Sequence, residues 1–171
     1  MSPSQIEQLA WFGVRVKSRS EFRAHEDLSL RGYETLLPTY TVRRRWSDRI
    51  KSLQVPLFSG YVFCRFALAE QLRILNANGV ANIVGFGNRP AAIEDHEIQS
   101  IQTLLCSKVA CTPWPYLQAG RRVSIDRGPL AGVEGVVLRA EDGRSRVVVS
   151  VNMLFRSVAA EVEREWIGSV R

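Results

Sequence analysis

From Trp11 to Lys17 the chain alternates, with Phe12, Val14 and Val16 on one side and Arg15 and Lys17 on the other. A period of two predicts a half-buried β-strand. Ser18 stands three residues before Glu21, the spacing of a capping box, and Arg31-Gly32 supplies a cation and then a residue free to take positive φ. A helix with Phe22, Ala24 and Leu28 on its apolar face fits between them. Tyr33 to Val42 reads as a strand interrupted at Pro38, which suggests an edge or a bulge. Ser47-Asp48 has turn chemistry and β-compatible residues resume at Ile50 to Val55, so a hairpin is expected there.

Leu57-Phe58-Ser59-Gly60 makes a turn into the strongly apolar run Tyr61 to Phe66. Val62, Cys64 and Phe66 share the face suited to a core, which leaves Tyr61 and Phe63 on the other face, beside Phe58 and Ile98 and in need of a partner. A short helix over Ala69 to Asn76, a strand over Val80 to Phe86 and a helix over Glu94 to Lys108 follow. The last shows Ile98, Ile101, Leu105 and Val109 at helical spacing behind Asp95. Thr112-Pro113-Trp114-Pro115 then reads as a linker. Beyond Leu117 the segments are short and β-rich: Val123 and Ile125, Val133 to Leu138, a Gly143-centred turn, Val147 to Val151, and Ser157 to Val162. Such spacing predicts a small closed barrel. The expected organisation is α+β: an α/β domain with a mainly antiparallel sheet over 10–108, a linker over 109–116 and a β-barrel over 117–171.

At 171 residues, 46% apolar and 23% charged, the chain has the composition of one or two folded domains, and wholesale disorder is excluded. No run approaches the ~18 to 20 apolar residues of a membrane span, and Met1 to Ala10 lacks the features of a signal peptide, so a cytoplasmic location without membrane contact is expected. The net charge of +6 favours polyanionic partners. Most of the cations are Arg, which suits phosphate binding but also follows from GC-rich coding. The charge concentrates in residues 43–51, where Arg43, Arg44, Arg45, Arg49 and Lys51 face only Asp48. Cys64, Cys106 and Cys111 form no CxxC pair, so neither a disulfide framework nor a metal site is expected. Cys64 reads as a core residue, Cys106 and Cys111 as candidate exposed thiols. No nucleophile elbow or phosphate loop occurs, and Asp126, Glu134, Asp142, Glu161 and Glu163 are scattered. No catalytic residue and no cofactor are expected.

The sharpest local signal is the run from Val123 to Val137, in which Gly128, Pro129, Gly132 and Gly135 shape a loop between two alternating strands. Positive φ or close backbone approach would exclude most side chains there, as in any well-built β-turn. This run resembles the KOW motif of transcription elongation factors and some ribosomal proteins. The likeness continues upstream through the strand with Trp11, the helix ending at Gly32, Leu37-Pro38-Thr39-Tyr40, the Pro56 to Phe63 turn and strand, and Gly79-Val80 to Phe86-Gly87. Together these are similar to a NusG N-terminal domain followed by a KOW barrel, over residues 11–168. The sequence is identified as a member of the NusG family, with specialised RfaH-like or UpxY-like paralogues among the candidates. Ser59 stands where the family usually has Pro.

The resemblance implies a monomeric elongation or antitermination factor with an SH3-like C-terminal barrel. It would dock on the clamp helices of RNA polymerase and raise processivity by suppressing pausing, with no chemistry of its own. It implies that Phe58, Tyr61, Phe63 and Ile98 form the polymerase-binding patch, although by residue type alone aromatics on a strand are core residues far more often than interface ones. It places Arg43, Arg44, Arg45, Trp46, Arg49 and Lys51 near upstream or non-template DNA, with Trp46 as a stacking platform; a solvated hairpin tip is the plainer reading. Gln71, Leu72 and Arg73 match where specialised paralogues touch the far side of the cleft. The KOW domain would contact the ribosome or a termination factor through an aromatic position that is Leu154 here; Phe155, replacing a glycine beside it, could substitute for that aromatic by a register change, but is expected to fill the barrel core. An RNA-binding or ribosome-associated KOW protein is the alternative.

Overall fold

The computed structural model describes residues 8–117, 119–139 and 144–170; Asp142 and the turn expected around Gly143 lie outside them. In chain order the elements are β1 (Ala10–Val16), α1 (Glu21–Leu30), β2 (Glu34–Leu36), β3 (Thr39–Arg45), β4 (Ile50–Pro56), β5 (Tyr61–Phe66), α2 (Gln71–Leu75), β6 (Val80–Ile83), β7 (Gly85–Phe86), β8 (Arg89–Pro90), β9 (Ala92–Ile93), α3 (Asp95–Cys106), β10 (Cys111–Trp114), β11 (Arg122–Ile125), β12 (Glu134–Arg139), β13 (Ser145–Val151), β14 (Arg156–Val162) and β15 (Ile167–Val170). They divide into two compact units. The first joins the stretch ending at Leu37 to Ser59–Asp95, and the second joins Pro38–Phe58 to the stretch beginning at His96. Helix α3 thus groups with the C-terminal strands, whereas the sequence pattern assigned it to the first domain.

The first unit is built on an antiparallel sheet of order β2-β5-β1-β6, with β9 also pairing β1. Phe12 stands opposite Cys64 and Val14 opposite Val62, so the alternating residues of two strands share one face. Ala24 and Leu28 of α1 join them there, with Val16, Phe66, Ile74 and Val80. The Phe12 and Phe66 rings meet at 4.5 Å, and each buried side chain of this size contributes about 1.5–3 kcal/mol. Phe22, expected on the same face of α1, is exposed. The opposite face of the sheet carries Trp11, Phe63 and Ile93, with Trp11 paired to Ile93 and Gly13 to Phe63.

Two local expectations change. The capping box does not form: Ser20 is the N-cap and makes no side-chain cap bond, while the Glu21 carboxylate accepts the Gly60 N–H at 2.9 Å. That bond holds the turn before β5 against the start of α1. The strand expected over Val80 to Phe86 divides at Val84, whose N–H bonds to the Gly13 carbonyl, and β7 turns away to pair with β8.

The second unit contains the β3–β4 hairpin, α3 and a six-stranded antiparallel sheet of order β10-β14-β13-β12-β11-β15. The architecture is the expected α+β class, with a C-terminal β domain. Residues 111–114 are not a linker. They form β10, which pairs with β14 through Cys111 opposite Ala160 and Trp114 opposite Ser157. Pro113 is tolerated because β10 is an edge strand and needs hydrogen bonds on one side only.

Candidate functional site

The four patch residues expected at a polymerase interface are divided between the units: Tyr61 and Phe63 lie on β5 in the first, Phe58 and Ile98 in the second. Phe63, Phe58 and Ile98 are 0%, 1% and 1% exposed, and Tyr61 is half-buried. The expectation that Phe63 stands clear of the core is therefore corrected, because both faces of β5 are covered. On α3 the buried residues are Glu97, Ile98, Ser100, Ile101 and Leu104. The stripe runs through Leu104 rather than Leu105, and it includes two polar groups that the apolar periodicity did not reveal. The Ser100 hydroxyl accepts the Glu134 N–H at 3.2 Å, and the Glu97 carboxylate accepts the Asn152 N–H at 3.1 Å. These bonds tie α3 to the start of β12 and to the turn after β13. A cavity of about 180 Å³, lined among others by His96, Glu97, Ser124, Glu134 and Asn152, remains between the helix and the sheet.

The basic residues form the end of the β3–β4 hairpin, whose ladder pairs Arg43 with Ser52, Arg44 with Lys51 and Arg45 with Ile50. Reciprocal backbone bonds between Trp46 and Arg49, 2.8 and 3.3 Å, close the turn at Ser47-Asp48 as expected. Arg43, Arg44, Arg45, Trp46 and Arg49 are all exposed. Trp46 is not an open platform on both sides, since the Lys51 ammonium sits 5.0 Å from its ring centroid. Near the base, Tyr40, Val42, Leu53 and Val55 share a half-buried face, while Thr41, Ser52 and Gln54 share an exposed one. Elsewhere, Leu72 on α2 is exposed and Arg73 pairs with Glu70 at 3.1 Å.

In the β11–β12 loop and the start of β12 the glycines have separate reasons. Gly128 has φ +77 and lies under the Trp166 indole, and a Cβ at Gly135 would fall 2.5 Å from the Val148 carbonyl oxygen. Only a residue without a side chain admits those neighbours. Gly132 donates its N–H to the Ile125 carbonyl at 2.8 Å, closing the loop around Pro129. Leu154 is buried. Phe155, expected in the barrel core, is 66% exposed instead. Its backbone is left-handed, with φ 49, which turns the side chain outward at a position suited to glycine. The Tyr116 ring meets it edge-on at 5.4 Å, and the Tyr116 hydroxyl bonds to Asn152. Of the two thiols expected to be exposed, Cys106 is exposed and Cys111 is buried in β10. Among the described residues no group of three or more His, Cys, Asp or Glu could hold a metal ion, and no helix is long and apolar enough to cross a membrane.

Residues 9–102 match the family model described as NusG, transcription termination factor. The transcription termination/antitermination protein NusG of Escherichia coli strain K12 is 30% identical over 157 residues, covering 88% of this chain and 84% of that protein. Its counterpart in Vibrio cholerae is 27% identical over 175 residues, covering 94% and 95%. A solved structure showing the domain interaction in Thermotoga maritima NusG has the same fold, with a TM-score of 0.57 at 20% identity over 96% of this chain and 98% of that one. With more than half of the chain matched by the family model and an antitermination protein aligned along most of its length, the chain belongs to the NusG family of transcription elongation and antitermination factors.

Proposed function

We propose that this factor binds RNA polymerase at the clamp helices through Phe58, Tyr61, Phe63 and Ile98 and raises processivity by suppressing pausing. The match of residues 9–102 to the NusG family model, which spans all four positions, carries this reading. The N-terminal module, 10–108, holds the polymerase, and the KOW module, 117–171, serves a second partner. The protein acts as a cytoplasmic monomer by binding, without cofactor or catalysis. The hairpin with Arg43, Arg44, Arg45 and Arg49 lies toward upstream or non-template DNA.

Ile98, on α3, is 1% exposed, and Glu97 and Ser100 of the same helix are bonded to the turn after β13 and to β12. Engagement of Ile98 therefore requires its side of α3 to be uncovered. The contact suits release: two of its bonds are polar, and a cavity remains along it, which weakens packing. Elongation on a long template by purified polymerase, with and without the protein, tests the function, and unchanged pausing would refute it. Glu97→Ala with Ser100→Ala tests the uncovering. It is expected to tighten polymerase binding, and weaker binding would argue that α3 acts as folded here.

A second reading is favoured by Phe155. An exposed aromatic braced by Tyr116 on the KOW module fits an anchor for the ribosome or a termination factor, since apolar rings at the centre of interfaces carry much of their affinity. Loss of ribosome association in Phe155→Ala, with polymerase binding intact, is the expected result.

A further inference from the structure

The turn after β13 links α3 to the exposed ring of Phe155. Asn152 to Leu154 form a 3₁₀ turn, closed by the Phe155 N–H on the Asn152 carbonyl at 3.2 Å. The first N–H of that turn, of Asn152, is held at 3.1 Å by the Glu97 carboxylate of α3, which is only 4% exposed. The Asn152 side chain accepts the Tyr116 hydroxyl at 3.0 Å, and the Tyr116 ring meets Phe155 edge-on at 5.4 Å. The turn thus touches the helix at one end and carries an exposed aromatic at the other. Phe155 has a left-handed backbone, φ 49, a strained conformation that persists for a residue with a side chain only where its surroundings enforce it. Such strain relaxes when a support is withdrawn.

We propose that Asn152 is a positioning residue through which α3, while seated on the sheet, holds Phe155 in its outward pose, so that uncovering α3 releases the ring. This rests on both readings given above, in which polymerase engages Ile98 and Phe155 anchors the partner of the KOW module. When α3 leaves, the Asn152 N–H loses its carboxylate, the turn loses a support, and the left-handed Phe155 relaxes away from Tyr116. Ser100 of the same helix bonds instead to the Glu134 N–H of β12, so it supports the seat of α3 by a separate contact. Two sites linked in this way change each other's affinity by the same factor. Polymerase bound at α3 therefore weakens the hold on the KOW partner, and that partner, by gripping the outward ring, keeps α3 seated.

Amide hydrogen exchange of the full chain, resolved by NMR, tests the link, with a thermal midpoint taken on each sample. Glu97→Ala is expected to speed exchange at Asn152 and Phe155 at least ~10-fold and to weaken the Overhauser contact between the Tyr116 and Phe155 rings. Glu97→Gln, which keeps an oxygen acceptor, should stay within ~3-fold of the unmodified chain. Ser100→Ala should disturb the start of β12 and spare the turn. Equal acceleration of the turn in Glu97→Ala and Ser100→Ala would remove Asn152 as the link. Acceleration spread through β12 to β14 with a lowered midpoint would make Glu97 a structural prop and overturn the proposal. Ribosome association, intact in Glu97→Gln, should fall at least ~5-fold in Glu97→Ala; no fall there, where Phe155→Ala does lose association, would overturn the claim that the pose of the ring matters. Purified polymerase is then added and exchange is followed by mass spectrometry. Protection around Tyr61 with faster exchange over Asn152 to Phe155 is expected. Protection around Tyr61 with an unchanged turn would overturn the coupling and leave polymerase binding standing. No protection anywhere in residues 9–102 would overturn the polymerase reading and the coupling with it.

Discussion

The indole of Trp166 lies so close over Gly128 that a Cβ on residue 128 would fall 2.7 Å from its ring atoms, while Gly132, four residues on, has open space where its Cβ would stand. Both have positive φ, +77 and +90. Alanine at either position bears the left-handed backbone cost of about 1–2 kcal/mol. At Gly128 it also displaces the indole, a further 1–3 kcal/mol or so of overpacking. Urea denaturation of Gly128→Ala and Gly132→Ala should therefore show the larger loss in the first. Equal losses would mean that the indole moves aside freely.

Thiol chemistry should separate the three cysteines. Cys64 lies in the core of the first unit, where burial pushes its pKa up to about 12, so near pH 8 it remains a buried, protonated thiol and a poor nucleophile. Burial also raises the pKa of Cys111. Only Cys106 is exposed. Brief treatment of the native protein with a maleimide should modify Cys106 alone, and denaturant should release the other two. Rapid native labelling of Cys64 would require the β1–β5 sheet to open.

Much of the first unit was legible because its strands alternate: Phe12, Val14 and Val16 of β1 and Val62, Cys64 and Phe66 of β5 do share one core face. Pro38 does separate β2 from β3. What alternation does not report is whether the other face of a strand is also covered. Alternation therefore places Phe63 on a free surface although it is fully buried. Likewise Pro113 signalled a linker, because a proline's missing N–H is harmless on an edge strand and only the pairing with β14 reveals the edge. Residue type alone favours the core for Phe155. Its outward position depends on a left-handed backbone angle that no pattern of polarity encodes.

The stability of the first unit should depend on His25. Its Nδ1 is buried without a hydrogen-bond partner, and burial lowers the pKa of the ring below its usual 6.5. A base whose folded pKa is depressed binds protons more weakly in the folded state than in the unfolded one. Its contribution is present above the unfolded pKa and is lost as the pH falls through the folded value. The thermal midpoint should decline from about pH 7 to about pH 5.5, before most carboxylates titrate. His25→Gln should flatten that decline. An equal slope in both proteins would assign the effect to other groups.

The proposed polymerase patch needs a variant that spares the fold, and the difference in burial between Tyr61 and Phe63 supplies one. Phe63 is fully enclosed, so Phe63→Ala should cost about 3–5 kcal/mol by cavity formation and any loss of binding in it would be ambiguous. Tyr61, half-buried at the start of β5, loses less on truncation, and a midpoint lowered only slightly is expected. If Tyr61 contacts the clamp helices, Tyr61→Ala should weaken polymerase binding at least ~10-fold, equivalent to about 1.4 kcal/mol, and reduce antipausing in parallel. Binding is read by titration against purified polymerase and stability by thermal melting of the same sample. A large fall in the midpoint would make Tyr61 a core residue like Phe63. An unchanged midpoint with unchanged affinity would remove Tyr61 from the patch and leave Ile98, once α3 is uncovered, as the position to test next.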